Sequence, residues 1–240
     1  MPASVYNRGV PLAPLPSSKA FWPLPTRTPQ VSIAGGRAFG APREDVYQMV
    51  GGMRTLVAEG SRYHAGIDLY ASFGDIIVAT EDCELVNFYH FYRGTYALIV
   101  KTATQVINYG ECREDSLLTL GHKAPKVNLK PGRTYSSPVD EMTPDAVASV
   151  TGTGSYVRAG EPVAIVGRMN VGSMLHLEMY RAGSVVNSRW KRSVTPSALL
   201  DPTEYLDAAR TGKVESDQRS VQALRMIEAT SVNSRERTCQ

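Results

Sequence analysis

The sequence predicts a mainly β fold built on antiparallel sheet, and three observations carry that expectation. Short runs rich in Val, Ile and Tyr recur between glycines. A hairpin-type break, Arg93-Gly94-Thr95, separates two of them. Long helical periodicity is scarce before residue 197. In order, the expected strands are Asp75 to Thr80, Glu84 to Tyr92, Tyr96 to Thr102, Gln105 to Tyr109, Pro162 to Gly167 and Met174 to Tyr180. Each has the length and β-branched content of a strand, and adjacent runs joined by short turns pair antiparallel.

Three regions follow from composition. Residues 1–30 hold seven of the 15 prolines, at Pro2, Pro11, Pro14, Pro16, Pro23, Pro25 and Pro29. Proline fixes φ and removes a backbone donor, so this stretch reads as an extended arm. Its Phe21-Trp22 pair offers an apolar anchor for its own domain or for a neighbouring subunit. Residues 31–206 form the expected β domain, interrupted by a polar insertion at 112–156 with Pro125, Pro131, Pro138 and Pro144. A loop of that length inside a domain is functional or disordered; it has room for a short helix near Pro144 to Val150. Residues 207–240 form a polar tail with six basic and five acidic residues, in which Val221, Leu224 and Ile227 recur at helical spacing.

With 42% hydrophobic and 20% charged residues, the chain reads as soluble and globular. A net charge of +3 is far from a nucleic-acid signature, so no nucleic-acid partner is expected. No run approaches ~18 consecutive apolar residues, so no membrane span is expected, and the N-terminus shows no signal-peptide pattern. Cys83, Cys112 and Cys239 form no C-x-x-C pair and suggest neither a disulfide framework nor a thiolate metal site. The chain also lacks a G-x-S-x-G elbow, a phosphate-binding loop and a dinucleotide fingerprint.

Two segments carry chemistry. In Tyr63-His64-Ala65-Gly66-Ile67-Asp68-Leu69, residues two apart share a face of an extended chain, so His64, Gly66, Asp68 and Tyr70 point one way and Gly66 leaves space between two donors. In Met174-Leu175-His176-Leu177-Glu178-Met179-Tyr180, alternation puts Met174, His176, Glu178 and Tyr180 on one face. A buried histidine there needs a hydrogen-bond partner or a metal. His64, Asp68 and His176 make a complete three-ligand set for catalytic Zn2+, with a fourth position open to water. Glu178, beside His176 on the same face, either orients it from behind or sits in a surface salt bridge. His90, in the aromatic run Tyr89-His90-Phe91-Tyr92, and His122, in the insertion, are further candidates.

These residues resemble the lysostaphin/LytM-type zinc metallopeptidases, which cut peptide bonds in bacterial peptidoglycan. His64-Ala65-Gly66-Ile67-Asp68 resembles the family's H-x-G-x-D, and Phe39-Gly40-Ala41-Pro42-Arg43 its F-G-x-R segment with one residue extra. Ala159 to Gly167 resembles the turn and strand before its last motif. The resemblance spans roughly residues 31–206 and implies an antiparallel β-sheet metallopeptidase domain with zinc on His64, Asp68 and His176. Two family histidines are replaced. Met174 stands for the first histidine of H-x-H, and the region after Tyr109 reads Tyr109-Gly110-Glu111. A carboxylate beside a zinc site can serve as general base, which makes Glu111 the catalytic candidate, with Met174 and Tyr109 bordering the cleft. The alternative is that Glu111 is an exposed strand-end residue and the site is inert.

Two functions follow from the resemblance. One is a zinc endopeptidase acting on peptidoglycan, for which a phage tail-associated lysin is a fitting setting. The other is a catalytically inactive, structural or wall-binding virion component. In either, the N-terminal arm and C-terminal tail would contact other virion or tail proteins. Without an export signal, a virion location is expected; otherwise the chain would be cytoplasmic with non-classical release.

Overall fold

The fold is seen in a computed structural model that describes residues 6–16, 20–29, 33–43, 46–50, 53–58, 62–91, 94–123, 154–169, 172–182, 190–192 and 195–211. The helices expected near 144–150 and 221–227, and Cys239, lie outside these residues.

The described elements begin with a 3-10 turn at Gly35–Arg37. The strands that follow are β1 (Pro42–Arg43), β2 (Val46–Val50), β3 (Met53–Ala58), β4 (Arg62–Tyr63), β5 (Ile67–Tyr70), β6 (Ile76–Val78), β7 (Cys83–His90), β8 (Tyr96–Lys101) and β9 (Gln105–Cys112). After a short helix α1 (Ser116–Thr119) come β10 (Tyr156–Val157), β11 (Pro162–Ile165), β12 (Met174–Arg181), β13 (Trp190–Lys191), β14 (Leu199–Leu200) and helix α2 (Thr203–Thr211). The fold is mainly antiparallel β, as the composition of its strands predicts.

The central sheet runs β10-β7-β8-β9-β12-β14, and β5 also pairs with β12. β12 is therefore paired on both sides. Its first half lies against β5, with Met174 opposite Tyr70 and His176 opposite Asp68. On its other side His176 faces Gly110 and Glu178 faces Asn108 of β9. This register brings residues from sequence positions near 68, 110 and 176 onto one patch of one sheet face. Leu175, Leu177 and Met179 point to the opposite face, into a core with Leu69, Leu85, Leu98, Ile107 and Tyr109.

β9 runs past Tyr109 to Cys112, and its ladder with β8 contains a bulge. Only Ala97 stands between the pairs Tyr96–Cys112 and Leu98–Tyr109, whereas β9 places both Gly110 and Glu111 there. Glu111 adopts φ +65°, a left-handed conformation uncommon for a residue with a Cβ. Bulges of this kind bend a strand and re-aim a side chain.

The proline-rich arm packs on its own domain. Trp22 and Leu24 are buried in the core. The Phe21 N–H donates to the Thr80 carbonyl at 2.8 Å, and the Val78 N–H donates to the Pro23 carbonyl at 2.9 Å. Proline cannot donate to such a ladder but can accept from it, so the arm lines the edge of β6 despite its composition. Further upstream, Leu12 bridges Asp201, and Arg8 Nε donates to the Gly40 carbonyl at 3.0 Å. At the other end, the boundary expected after residue 206 falls inside α2, whose Tyr205, Leu206 and Ala209 are buried in the same core.

Candidate metal centre

The site is built where β5, β9 and β12 meet. Asp68 and His176 are directly opposed across the β5–β12 ladder, so their side chains emerge side by side on one face. His64 joins them from the turn between β4 and β5. Its backbone is fixed by bonds to Ala41 and Gly40, and its Nδ1 lies 3.0 Å from the Ala38 carbonyl oxygen. That contact assigns the proton to Nδ1 and leaves Nε2 as the inward donor atom.

Three donor atoms converge. His64 Nε2 lies 3.1 Å from His176 Nδ1. His176 Nδ1 lies 2.8 Å from Asp68 Oδ1. Asp68 Oδ1 lies 3.1 Å from His64 Nε2. Donors about 2.0–2.1 Å from a tetrahedral zinc sit about 3.3 Å apart, so this triangle is a few tenths of an ångström tighter than a zinc face. Among the described residues, His64, Asp68 and His176 are the group able to hold a metal, and all three are buried.

Glycines keep the space open. A Cβ on Gly110 would stand 3.1 Å from the His176 ring and 2.9 Å from Phe91 Cε1. One on Gly66 would lie 2.5 Å from the Leu177 carbonyl oxygen and 2.9 Å from His176 Cε1. The donor set, its spacing and these two glycines all fit a small divalent cation.

Behind His176, a buried network fixes the ring. His176 Nε2 donates to Glu178 Oε1 at 2.7 Å. Glu178 Oε2 accepts from Asn108 Nδ2 at 2.9 Å and from the Tyr180 hydroxyl at 2.8 Å. Arg43 extends the support on the other side, donating to Asp68 Oδ2 at 2.9 Å. These carboxylates are thus anchored by their outer oxygens while Asp68 keeps Oδ1 turned inward.

The electrostatics follow from burial and pairing. Burial pushes the His176 imidazole down, but its bonds to Asp68 and Glu178 more than reverse this and raise it to about 10. His64 is lowered, because burial outweighs the attraction of Asp68. Burial opposes ionisation of Asp68, yet His64 and His176 hold it well below the usual carboxylate range. Glu178 is lowered by His176 against the effect of its burial. A cation in the triangle would take the place of the His176 proton.

Glu111 stands apart from these pairs. It is 6% exposed, which closes the exposed strand-end reading, and its Oε2 has no hydrogen-bond partner among the described residues. Regular alternation would aim it to the Tyr109 face; through the bulge its carboxyl instead lies in the field of His176, Asp68, Arg43 and Arg37. Burial pushes it up to about 8, against the pull of His176 and the two arginines.

The other sequence candidates fall in different places. Met174 is half-buried on the next rung outward, opposite Tyr70. Tyr109 points to the far face, where its hydroxyl accepts the Thr80 N–H at 3.1 Å, because it is one residue off the Asn108–Gly110 rungs that flank the site. His90 is exposed and packs edge-on to Tyr96 at 5.6 Å. His122 Nε2 bonds the Pro162 carbonyl at 2.8 Å, tied to β11. Neither histidine joins the donor group.

Sequence reasoning missed several contributors. Phe91 packs its ring 5.6 Å from that of His176, and it follows His90 in the same aromatic run. Asn108 faces Glu178 from the neighbouring strand, a register that no single-strand pattern gives, whereas Tyr180 stands on the Glu178 face by alternation. Arg43 ends the F-G-x-R-like segment, while Arg37 carries no sequence signal.

No family model and no curated protein matches the chain. Among solved structures the chain is similar to LytU, with a TM-score of 0.37 and 16% identity over 73% of this chain and 86% of that one. It is also similar to lysostaphin in a solution structure, with a TM-score of 0.36 and 18% identity over 61% of this chain and 44% of that one. The antimicrobial peptidase lysostaphin from Staphylococcus simulans gives a TM-score of 0.39 and 16% identity over 75% of this chain and 58% of that one. The match thus spans about half the length of the two lysostaphin chains.

Proposed function

We propose that the chain is a zinc-dependent endopeptidase that cuts peptide bonds in bacterial peptidoglycan. The observation that carries this reading is the convergence of His64 Nε2, Asp68 Oδ1 and His176 Nδ1 beside the unpartnered carboxyl oxygen of Glu111. The peptidoglycan substrate is supported by the ordered motifs around residues 39–43, 64–68, 159–167 and 174–178.

His64, Asp68 and His176 would hold the metal. Bound there, zinc supplies Lewis-acid polarisation of the scissile carbonyl, acidifies a water and draws down neighbouring carboxyl groups. Glu111 Oε2 takes the proton of the attacking water and hands it to the amine nitrogen as the C–N bond breaks. Glu178 holds the His176 ring with Nδ1 inward, and Arg43 holds Asp68 with Oδ1 inward. Phe91 walls one side of the site and limits water there.

The test uses the purified full chain on isolated cell-wall sacculi, with zinc content measured by atomic absorption. We expect one zinc per chain, release of new amino ends, and loss of both in H64A and D68A. Zinc retained in either variant overturns the ligand set. Zinc bound without release of amino ends defeats the peptidase and favours the second reading, a wall-binding virion component. That reading draws on Glu111 and Met174 standing where the resembled family carries histidines.

A further inference from the structure

We propose that the Arg37 guanidinium, braced on Tyr70 at the outer end of the site, is a subsite for a carboxylate on the peptide substrate. This deepens the endopeptidase reading and rests on it.

Two arginines act on the site from the segment before β1 and from β1 itself. Arg43 is committed to Asp68. Arg37 is not. Its Nη1 is buried and, among the described residues, has no hydrogen-bond partner. A buried donor left unmade is costly, so such a group is matched to something that arrives. Its Cζ lies 4.0 Å above the centroid of the Tyr70 ring. Stacking of this kind fixes the plane of a guanidinium while leaving its edge free for a planar anion.

The position is right for a substrate contact. Tyr70 is the rung beyond Asp68 on β5, opposite Met174, and 59% of its surface is exposed. Arg37 is adjacent to Ala38, whose carbonyl holds the His64 ring. Arg37 thus neighbours in sequence the residue that holds the His64 ring, and it stacks on the ring one rung outward from Asp68. A peptide lying across the triangle would bring a carboxylate on a neighbouring residue to the Arg37 edge. Arginine pairs with carboxylates through two parallel hydrogen bonds, which gives geometric selection as well as attraction.

The experiment compares two stem pentapeptides on the zinc-depleted full chain by calorimetry. One, L-Ala-D-Glu-L-Lys-D-Ala-D-Ala, has a free D-Glu α-carboxylate; the other has that group amidated. Zinc depletion prevents cleavage and removes the metal as a competing carboxylate ligand. We expect the free acid to bind on the order of tenfold to a hundredfold more tightly, the range of one charge-assisted contact. R37Q should abolish that preference and R37K should keep part of it. Equal binding of the two peptides by the unsubstituted chain overturns the subsite. So does a preference that survives in R37Q. Equal weakening of both peptides in R37Q points to a general role in the site and also overturns it. The outcome is separable from that of the peptidase reading: sacculi cut without carboxylate preference sinks only the subsite, and preference without cleavage sinks only the enzyme.

Discussion

His176 and Glu178 stand two residues apart on β12 and are joined by a 2.7 Å hydrogen bond from Nε2 to Oε1 along one face of the sheet. The carboxylate fixes the tautomer that turns Nδ1 toward His64 and Asp68. In E178Q the acceptor loses its charge, and the amide must share its polar atoms among His176, Asn108 and Tyr180. Zinc affinity should fall about 10–100-fold, measured by chelator competition. Unchanged affinity would show that the network behind His176 does not orient it.

Stability of the metal-free protein should fall as pH rises from 6.5 to 8. His176 is raised from 6.5 to about 10, and Glu111 from 4.5 to about 8. The stabilisation from each is complete below its unfolded value and is lost as pH climbs toward its folded one. In this window the folded state holds more of both protons than the unfolded state, in which the histidine loses its last half-proton above pH 6.5, so stability falls by up to about 1.4 kcal/mol per pH unit for each. Asp68 and Glu178, held down when folded, are ionised in both states and add no slope, while His64, lowered when folded, adds an opposing slope that fades as pH rises above 6.5 and leaves the fall dominant toward pH 8. Denaturant titrations of chelator-treated protein across this range test the sign; a flat or rising midpoint contradicts it.

E111Q separates the roles of Glu111. It keeps the buried shape but removes the titrating group. Bound zinc should be unchanged, since Glu111 is not among the three donors. Cleavage of sacculi should drop by roughly 10²–10⁴, and the pH slope of the metal-free protein should fall by about half. Full cleavage activity in E111Q would assign proton transfer to another group.

G110A probes the space beside the ring. Its Cβ would stand 3.1 Å from the His176 ring and 2.9 Å from Phe91. Overpacking of this kind costs about 1–3 kcal/mol, and here the ring that must move is a metal donor. Zinc affinity should fall together with stability in thermal melts. A stable variant with full zinc affinity would show that Phe91 yields freely.

Much of the site was legible because strand alternation is a local rule. His176 and Glu178 share a face by that rule, and so do Asp68 and Tyr70. The orientation of Glu111 was not legible. It depends on one extra residue in β9 opposite Ala97, a property of two strands together, and alternation alone would have aimed it at the core with Tyr109. The extended form of the arm was legible in its prolines, but its docking was not, for a related reason. Proline content argues against a strand, yet the Pro23 carbonyl serves an edge that needs only an acceptor there. Arg37 was invisible because its meaning comes from Tyr70, 33 positions on, and from the lack of a partner for Nη1 among the described residues.

The contact of the arm with Asp201, just ahead of α2, forms a clasp that imposes an order of events during synthesis. Asn7 donates to Asp201 across 194 intervening steps of chain. At about 5–20 residues per second, the ribosome needs roughly 10–40 s to deliver that acceptor. Through this interval the Asp201 partner of Asn7 is missing, although the Arg8 bond to Gly40 can already form, and His176 is still to come for most of it. Completion of the metal pocket and closure of the clasp are therefore late steps of biogenesis, exposed to capture by chaperones until nearly the whole sheet has left the tunnel.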